Sequence, residues 1–572
     1  MANRDNNLDL YPVPQKILFR SEKITIPEKI EIHLTVNSDN KDFLKLTELW
    51  LSRKNYAKSP YAQIELNIEE VKGEAFSYND SQGKYSEEIY NLDLSQSGKT
   101  ITVNISVSKK RGLYNSLATL GQLLSKKTIP SCTINDYPCF GIRAVIEGYY
   151  GPPWSSDDRL AMLDLLSDYK FNAYFYSPKD DIYHREKWRD FYPAAILSEL
   201  EKLVVKTSDS GLEFWYNIGP GLSMQYSSET DFNALIQKYE QLYSIGIRCF
   251  GLLFDDISEH LQHIEDQKVF SDISSAHVTV ANRVYQALIR KDPNVKFVVC
   301  PTQYWGKGTE YYISNMGSML NPRIELYWTG PEICSRELNL SDASVFARQT
   351  NRPVLYWDNY PVNDLEMANE MHIGPYLSRD RHLYRASAGI VANAMEYAEC
   401  SKIPLITIAS YLWNPENYDS ESAWRHALLR VAGEKDSEDF YIFADNSRYS
   451  CLFPTDSPYL RKILSQFEFD YKYGDKSKAM KDLRAAVDYL SRAVELFNRG
   501  MENKKLSVEI NRWSRKFING VELLDDVCKS LEKRDSDEME KLKIRFDEFQ
   551  TDSTYIFADI LYPFIDAVIK EM

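Results

Sequence analysis

Residues 248–256 read RCFGLLFDD, a run with no polar side chain from Cys249 to Phe254 that ends in two adjacent carboxylates. A strand with one wet face would alternate polar and apolar residues. A strand that is apolar throughout is covered on both faces, as in a parallel sheet. Seven further runs have the same character: RAVIEG at 143, FNAYFYS at 171, EFWYNIG at 213, KFVVCPT at 296, IELYWTG at 324, PVLYWDN at 353 and GIVANAM at 389. Amphipathic stretches lie between most of them, for example 157–168, 234–244 and 275–290, with the helical spacing of apolar residues. Eight such runs within residues 138–430 predict an α/β fold built on a (β/α)8 TIM barrel. Nearly every run ends in small or polar residues: Glu147-Gly148, Ser177-Pro178-Lys179, Gly219-Pro220-Gly221, Asp255-Asp256, Thr302, Thr329-Gly330, Asp358-Asn359 and Asn393. A barrel brings all eight strand ends to one face, so these residues are expected to form a single site.

Outward from the barrel, residues 1–137 mix strands with one clear helix and read as an N-terminal α/β domain. Ile101, Val103, Ile105 and Val107 alternate as in a half-buried strand, and Leu113, Leu117, Leu120 and Leu124 recur at helical spacing. The tetrapeptide SGKT at 97–100 resembles the tail of a phosphate-binding loop. It is rejected because Asp93 stands where the upstream glycine is needed and a strand follows where a helix should begin. Residues 431–572 are charged and helical, with long stretches at about 476–502, 507–533 and 537–571, and read as a C-terminal helical bundle.

Lys plus Arg number 68 against 83 Asp plus Glu, a net charge of −15, which argues against a general nucleic-acid binder. No apolar run approaches the roughly 18 residues of a membrane span. The N-terminus MANRDNNLDLYPVPQ lacks the apolar core of a leader, so the chain reads as cytoplasmic, or as a secreted chain trimmed of its leader. Eight cysteines, at 132, 139, 249, 300, 334, 400, 451 and 528, form no CxxC pair, which indicates neither a zinc module nor a disulfide scaffold. Trp 10, Tyr 39 and Phe 25 make the composition rich in aromatics. Rings with polar tips suit sugar ligands as well as large cores.

Two anions at a strand end need a cation, a shared proton or a catalytic task. His260 and His263 lie beyond the strand in a polar stretch, so a metal site is the weaker reading. Acid–base work on a glycosidic bond is the stronger one. Ordinary glycosidases place two carboxyls on opposite sides of the sugar, about 5–5.5 Å apart for retention or 6.5–9.5 Å for inversion. Neighbours on one strand point to opposite faces and cannot straddle one ring. They can address two atoms of one substrate, as in substrate-assisted enzymes, where a group of the substrate replaces the protein nucleophile.

The motifs VIEGYYGPPWS (145–155), YSPKDDIYHREKWRDFYP (176–193), GLLFDDIS (251–258), CPTQY (300–304), YWTGP (327–331) and YWDNYPVND (356–364) resemble, in order, those of glycoside hydrolase family 84. That family holds the O-GlcNAcases and related N-acetyl-β-glucosaminidases. The flanking segments resemble its N-terminal α/β and helical domains. The resemblance implies that Asp255 holds and polarises the 2-acetamido N–H and that Asp256 is the general acid and then the base. It implies a retaining reaction through an oxazoline, with no metal or organic cofactor. Tyr304 matches a tyrosine near the reacting centre. Thr329, Ile333 and Trp357 match the acetyl pocket, with Ile333 where the family often has Val. Asn359 matches a hydrogen-bonding residue at the acetamido group, and Gly148, Lys179, Asp364 and Asn393 match the shell around the sugar hydroxyls.

An ionised Asp255 beside Asp256 helps the acid keep its proton by like-charge repulsion. Glu147 and Asp358 are expected to be structural, and Tyr149, Tyr150 and Trp305 are candidates for contact with the aglycone. The sequence departs from the family's EGFYG at Tyr149, which adds a hydroxyl, and from its Asn-Pro-Met at Ala394, which removes a backbone restraint. The expected partner is a β-linked N-acetylglucosamine on a glycoprotein or glycan. A hexosaminidase acting on free glycans or hyaluronan fragments, and a silent sugar-binding protein, are the alternatives.

Overall fold

The structure is a computed structural model that describes residues 8–71, 87–450, 452, 457–533 and 536–571. Cys451 and the first seven residues of the segment read above for a leader lie outside the described residues.

The N-terminal part is a seven-stranded mixed sheet of β1 (Lys16–Thr25), β2 (Glu31–Asn37), β3 (Ala57–Lys58), β4 (Ile64–Glu70), β5 (Tyr90–Ser97), β6 (Thr100–Val107) and β7 (Thr128–Asp136). Its order is β1-β7-β5-β6-β4-β2-β3. Ile101, Val103, Ile105 and Val107 are buried along one face of β6, as their alternation requires. They pack with Leu113, Leu117, Leu120 and Leu124 of the helix Lys110–Leu124. The SGKT segment is the tight turn between β5 and β6, with Ser97 paired to Thr100 and Gly98 at φ 61°.

The barrel consists of β8 (Ile142–Glu147), β9 (Ala173–Tyr176), β10 (Glu213–Ile218), β11 (Cys249–Leu253), β12 (Lys296–Cys300), β13 (Ile324–Trp328), β14 (Val354–Asp358) and β15 (Ser387–Asn393). Each strand pairs in parallel with its successor, and β15 closes on β8 from Gly389 opposite Ile142 to Asn393 opposite Ile146. Alternate residues such as Ile146, Phe175, Trp215, Val298, Tyr327 and Val391 fill the interior. The other set, including Val145, Tyr174, Tyr216, Phe250 and Val299, packs under the surrounding helices. This two-sided burial is why the strands read as unbroken apolar runs.

The sheet and barrel meet around a buried ion pair. Lys170 Nζ lies 2.8 Å from Asp136 Oδ2, and Asp136 also accepts from Tyr90 OH at 2.6 Å and from Trp413 Nε1 at 2.8 Å. Asp136→Ala would leave a buried ammonium unpaired. A loss of about 3–5 kcal/mol is expected, read as a lowered melting temperature, whereas an unchanged melt would deny the pair a structural role.

The charged C-terminal region is predominantly helical, with long helices at Lys476–Arg499 and Asn511–Lys533. The stretch expected as one helix over 537–571 is two, Ser536–Thr551 and Ala558–Glu571. Buried Lys516 satisfies the break: its ammonium donates to the backbone carbonyls of Asp552 and, at 2.7 Å, Thr554. Among the described residues no helix is long and apolar enough to cross a membrane.

Candidate active site

A cavity of about 920 Å³ opens among the polar ends of the barrel strands. Gly148, Lys179, Asp255, Asp256, Tyr304, Thr329, Ile333, Trp357, Asn359, Asp364 and Asn393 all line it. Cys300, Cys334, Val362, Leu365, Glu366 and Met367 also line it and carry no signal in the sequence that singles them out.

The acidic pair sits in the turn just past β11, and Asp256 adopts the left-handed backbone conformation, φ 54°. On a continuing strand the two carboxyls would face opposite ways. With the chain turned at Asp256, both face the one cavity. A left-handed non-glycine residue costs about 1–2 kcal/mol and persists where its surroundings over-determine it.

The two carboxyls have different environments. Asp255 forms an ion pair with Lys179, and both side chains are almost wholly buried. Burial opposes both charges, but the attraction prevails: Asp255 is held below the usual carboxylate range and Lys179 above its ordinary value. Lys179 therefore serves Asp255 rather than its neighbours. Asp181 is occupied by Tyr176 OH at 2.9 Å and Tyr192 OH at 2.5 Å. Asp256 instead accepts two phenolic hydroxyls, Tyr304 on Oδ1 at 2.9 Å and Tyr150 on Oδ2 at 2.7 Å. Burial first, and the neighbouring Asp256 charge second, push the Tyr304 phenol upward, so it stays a donor.

The wall opposite is a linked set of amides. Asn359 Oδ1 accepts from Trp357 Nε1 and Asn393 Nδ2, each at 3.0 Å, and its Nδ2 donates to the Ile333 carbonyl at 2.8 Å. The Asn393 Oδ1 atom is buried without a hydrogen-bond partner among the described residues. Gly148 is required by the close approach of Trp357: a Cβ there would meet Cζ2 at 2.6 Å. Thr329 is tied into its loop, donating its hydroxyl to Glu332 O at 2.8 Å. Ile333 stands at the rim, 46% exposed. The Asp364 carboxylate accepts from the Tyr150 amide at 2.7 Å, and burial pushes it above its ordinary value. Its loop is anchored from the helical region, where Trp513 Nε1 donates to Asn369 O at 3.0 Å and Tyr555 N at 2.8 Å.

Of the other residues named from the sequence for this face, Tyr150 lines the cavity and the following do not. Glu147 is buried and clamped by Arg159 at 2.5 and 2.9 Å and by Tyr174 OH at 2.6 Å. Asp358 is likewise paired with Arg379 at 2.7 and 3.0 Å. Tyr149 does not add a hydroxyl to the site: it is buried against Trp154 and donates to Pro152 O at 3.3 Å. Trp305 is 47% exposed and is not part of the lining. His260 is exposed, and His263 precedes the helix Ile264–Val269. Sequence reading placed Tyr150 at the mouth as an aglycone contact. It missed the contact of its hydroxyl with Asp256, and it missed Arg185, which lies inside the quoted motif 176–193 but has no spacing that marks it.

A family model described as beta-N-acetylglucosaminidase matches residues 143–445, and a model for glycosyl hydrolase family 20, domain 2, matches residues 7–137. The chain is 31% identical over 357 residues to the proteins named Protein O-GlcNAcase from Rattus norvegicus and Mus musculus, over 60% of this chain and 38% of each relative. It thus spans well under half the length of these curated relatives. Among solved structures, a mutant of the Thermobaculum terrenum O-GlcNAc hydrolase is 30% identical with a TM-score of 0.72, over 76% of this chain and 95% of the other. The structure titled CpGH84B is 27% identical with a TM-score of 0.84, over 98% of this chain and 99% of the other.

Proposed function

Because the chain belongs to glycoside hydrolase family 84, the β-N-acetylglucosaminidases, we propose that it removes single β-linked N-acetylglucosamine residues with retention, through the substrate's own acetamido group. The observation that carries this reading is the contrast within the acidic pair: the Asp255 carboxyl is ion-paired to buried Lys179, and the Asp256 carboxyl accepts two phenolic hydroxyls.

An ionised Asp255 accepts the acetamido N–H and raises the electron density on the acetamido oxygen. That oxygen attacks the anomeric carbon as the glycosidic bond breaks, and Asp256 gives its proton to the departing oxygen. The product of this step is an oxazoline protonated on nitrogen, an oxazolinium ion, whose positive charge Asp255 offsets. Asp256, now a carboxylate, takes a proton from water as the water oxygen attacks the anomeric carbon. The oxazoline reopens to the acetamide, and two inversions leave the configuration retained. Trp357 and Thr329 enclose the acetyl group, Asn359 hydrogen-bonds to it, and Ile333 closes the rim. Gly148, Lys179, Asp364 and the unpartnered Asn393 Oδ1 address the sugar hydroxyls. We take O-GlcNAc on Ser or Thr as the natural linkage, on the strength of the O-GlcNAc relatives.

The test is turnover of 4-nitrophenyl N-acetyl-β-glucosaminide with and without a thiazoline inhibitor. Turnover blocked by the thiazoline is expected, and inhibitor binding without turnover would make the protein a sugar binder. A Ser-linked GlcNAc peptide hydrolysed no faster than chitobiose would move the natural substrate to free glycans.

The ion pair sets a pH dependence. In Lys179→Met, burial acts on Asp255 with its main opposing charge gone, so the carboxyl rises. Activity needs the ionised form, so the acid limb of kcat/KM should move to higher pH and the loss should be greatest at mildly acidic pH. A limb that stays in place would separate Lys179 from the ionisation of Asp255.

A further inference from the structure

Arg185, on the segment that follows β9, spans to two other loops. Its Nη1 donates to Tyr150 OH at 2.8 Å, on the loop after β8, and its Nη2 donates to the backbone carbonyl of Asp256 at 3.1 Å. Tyr150 OH in turn donates to Asp256 Oδ2 at 2.7 Å. One guanidinium therefore holds Asp256 at both ends, its main chain directly and its carboxyl through a tyrosine.

We propose that Arg185 is a positioning residue for proton transfer: it locks the left-handed turn at Asp256 and commits the Tyr150 hydroxyl proton to the Asp256 carboxyl. This rests on the reading of Asp256 as the acid and then the base. The first half follows from the backbone. The conformation at φ 54° is unfavourable for aspartate and needs external restraint, and the guanidinium bond to its carbonyl is such a restraint. The second half follows from proton count. A phenol has one proton, and when its oxygen accepts from the guanidinium that proton is directed at Asp256 Oδ2. Burial keeps the phenol of Tyr150 above its ordinary value, so it remains a donor. When Asp256 releases its proton to the leaving oxygen, the carboxylate that forms has a hydroxyl already aimed at each oxygen, Tyr150 at one and Tyr304 at the other. These bonds strengthen as charge develops and need no rearrangement at that moment. The planar fork presents two donors at a fixed separation to the two acceptors, a geometry that the compact, freely rotating ammonium of a lysine does not preset.

The contribution of Arg185 should then scale with how much proton transfer the leaving group needs. The experiment compares Arg185→Met, Arg185→Lys, Tyr150→Phe and Arg185→Met/Tyr150→Phe with wild type and with Asp256→Ala. Its readout is kcat/KM, which reports the first chemical step, on 4-nitrophenyl N-acetyl-β-glucosaminide and on a Ser-linked GlcNAc peptide. Arg185→Met should lose at least about ten-fold on the peptide, the factor for one hydrogen bond to a forming charge, and less than about three-fold on the aryl glycoside. Arg185→Lys should show the same split at smaller size. The double variant should lose less than the product of the two single losses, because the two residues act in one chain of bonds. Equal losses on both substrates, no loss on either, or multiplicative effects would overturn the role of Arg185. If Asp256→Ala shows the split while Arg185→Met and Arg185→Lys do not, Arg185 falls alone. If Asp256→Ala shows no split, the reading of Asp256 falls and takes this role with it.

Discussion

Asp255→Ala should abolish turnover on every substrate, including aryl glycosides whose leaving groups need no proton. In the proposed mechanism Asp255 acts on the nucleophile. Without a carboxylate on its N–H, the acetamido oxygen is neither oriented nor made electron-rich, and the charge of the oxazolinium ion is unopposed. Removing one preorganised electrostatic contact of this kind costs about 10²–10³-fold in kcat, and the effect should be the same for 4-nitrophenyl and Ser-linked substrates. The substitution also leaves Lys179 buried without its counter-ion, which by itself destabilises by several kcal/mol. Asp255→Asn, which keeps the shape and a hydrogen-bonding oxygen, is therefore run beside it, with melting curves for both. Steady activity of a folded Asp255→Asn protein would remove Asp255 from the mechanism. A parent enzyme that cleaved a 2-hydroxy analogue as fast as the N-acetyl sugar would do the same to the acetamido nucleophile.

Asp256→Ala should behave differently, and the difference identifies the two roles. General acid catalysis contributes about 10²–10⁴-fold where the leaving group is a poor one. Loss of Asp256 should therefore be of that size in kcat/KM for a Ser-linked or alkyl glycoside. For 4-nitrophenol, which departs as a stable anion, the same measurement should fall far less. The later attack of water still needs a base, so the oxazoline should accumulate and kcat on the aryl substrate should drop with a pre-steady-state burst. Equal losses on both substrate classes would take the acid role away from Asp256. Tyr150 and Tyr304 would then be hydrogen-bonding to a structural carboxylate.

Much of this arrangement was legible in one dimension. The barrel could be read because burial on both faces writes itself as continuous apolar runs, and such runs recur at 248, 296, 324, 353 and 389. Gly148, Lys179, Asp255, Asp256, Thr329, Asn359 and Asn393 could be gathered from the same topology, since a closed parallel barrel has only one face for its carboxyl ends. Tyr304, Ile333, Trp357 and Asp364 were marked only by the resemblance to the family, and Gly219, Gly221 and Thr302, equally at strand ends, do not line the cavity. The sequence was less informative where a local pattern has two outcomes. Tyr149 and Tyr150 are chemically alike and adjacent, yet one is core behind the strand and the other reaches the acid. The stretch 537–571 has helical spacing throughout and is still two helices, and the carbonyls between them are met by a lysine from another helix that no local pattern announces.

The amino-acid order by itself determined the (β/α)8 barrel, the helical character of the C-terminal region and the position of the acidic pair at a strand end. It did so because apolar periodicity and strand polarity are local properties that survive in the chain as written. Only the tertiary structure decided the partners: Lys179 with Asp255 across 76 residues, Tyr150 with Asp256 across 106, and Arg185 with the Asp256 carbonyl across 71. Each of these contacts depends on how three separate loops approach one another over the barrel mouth, and on a single left-handed residue that turns two neighbouring carboxyls into the same cavity. No spacing in the sequence encodes that approach, since it is set by the packing of the whole barrel beneath it.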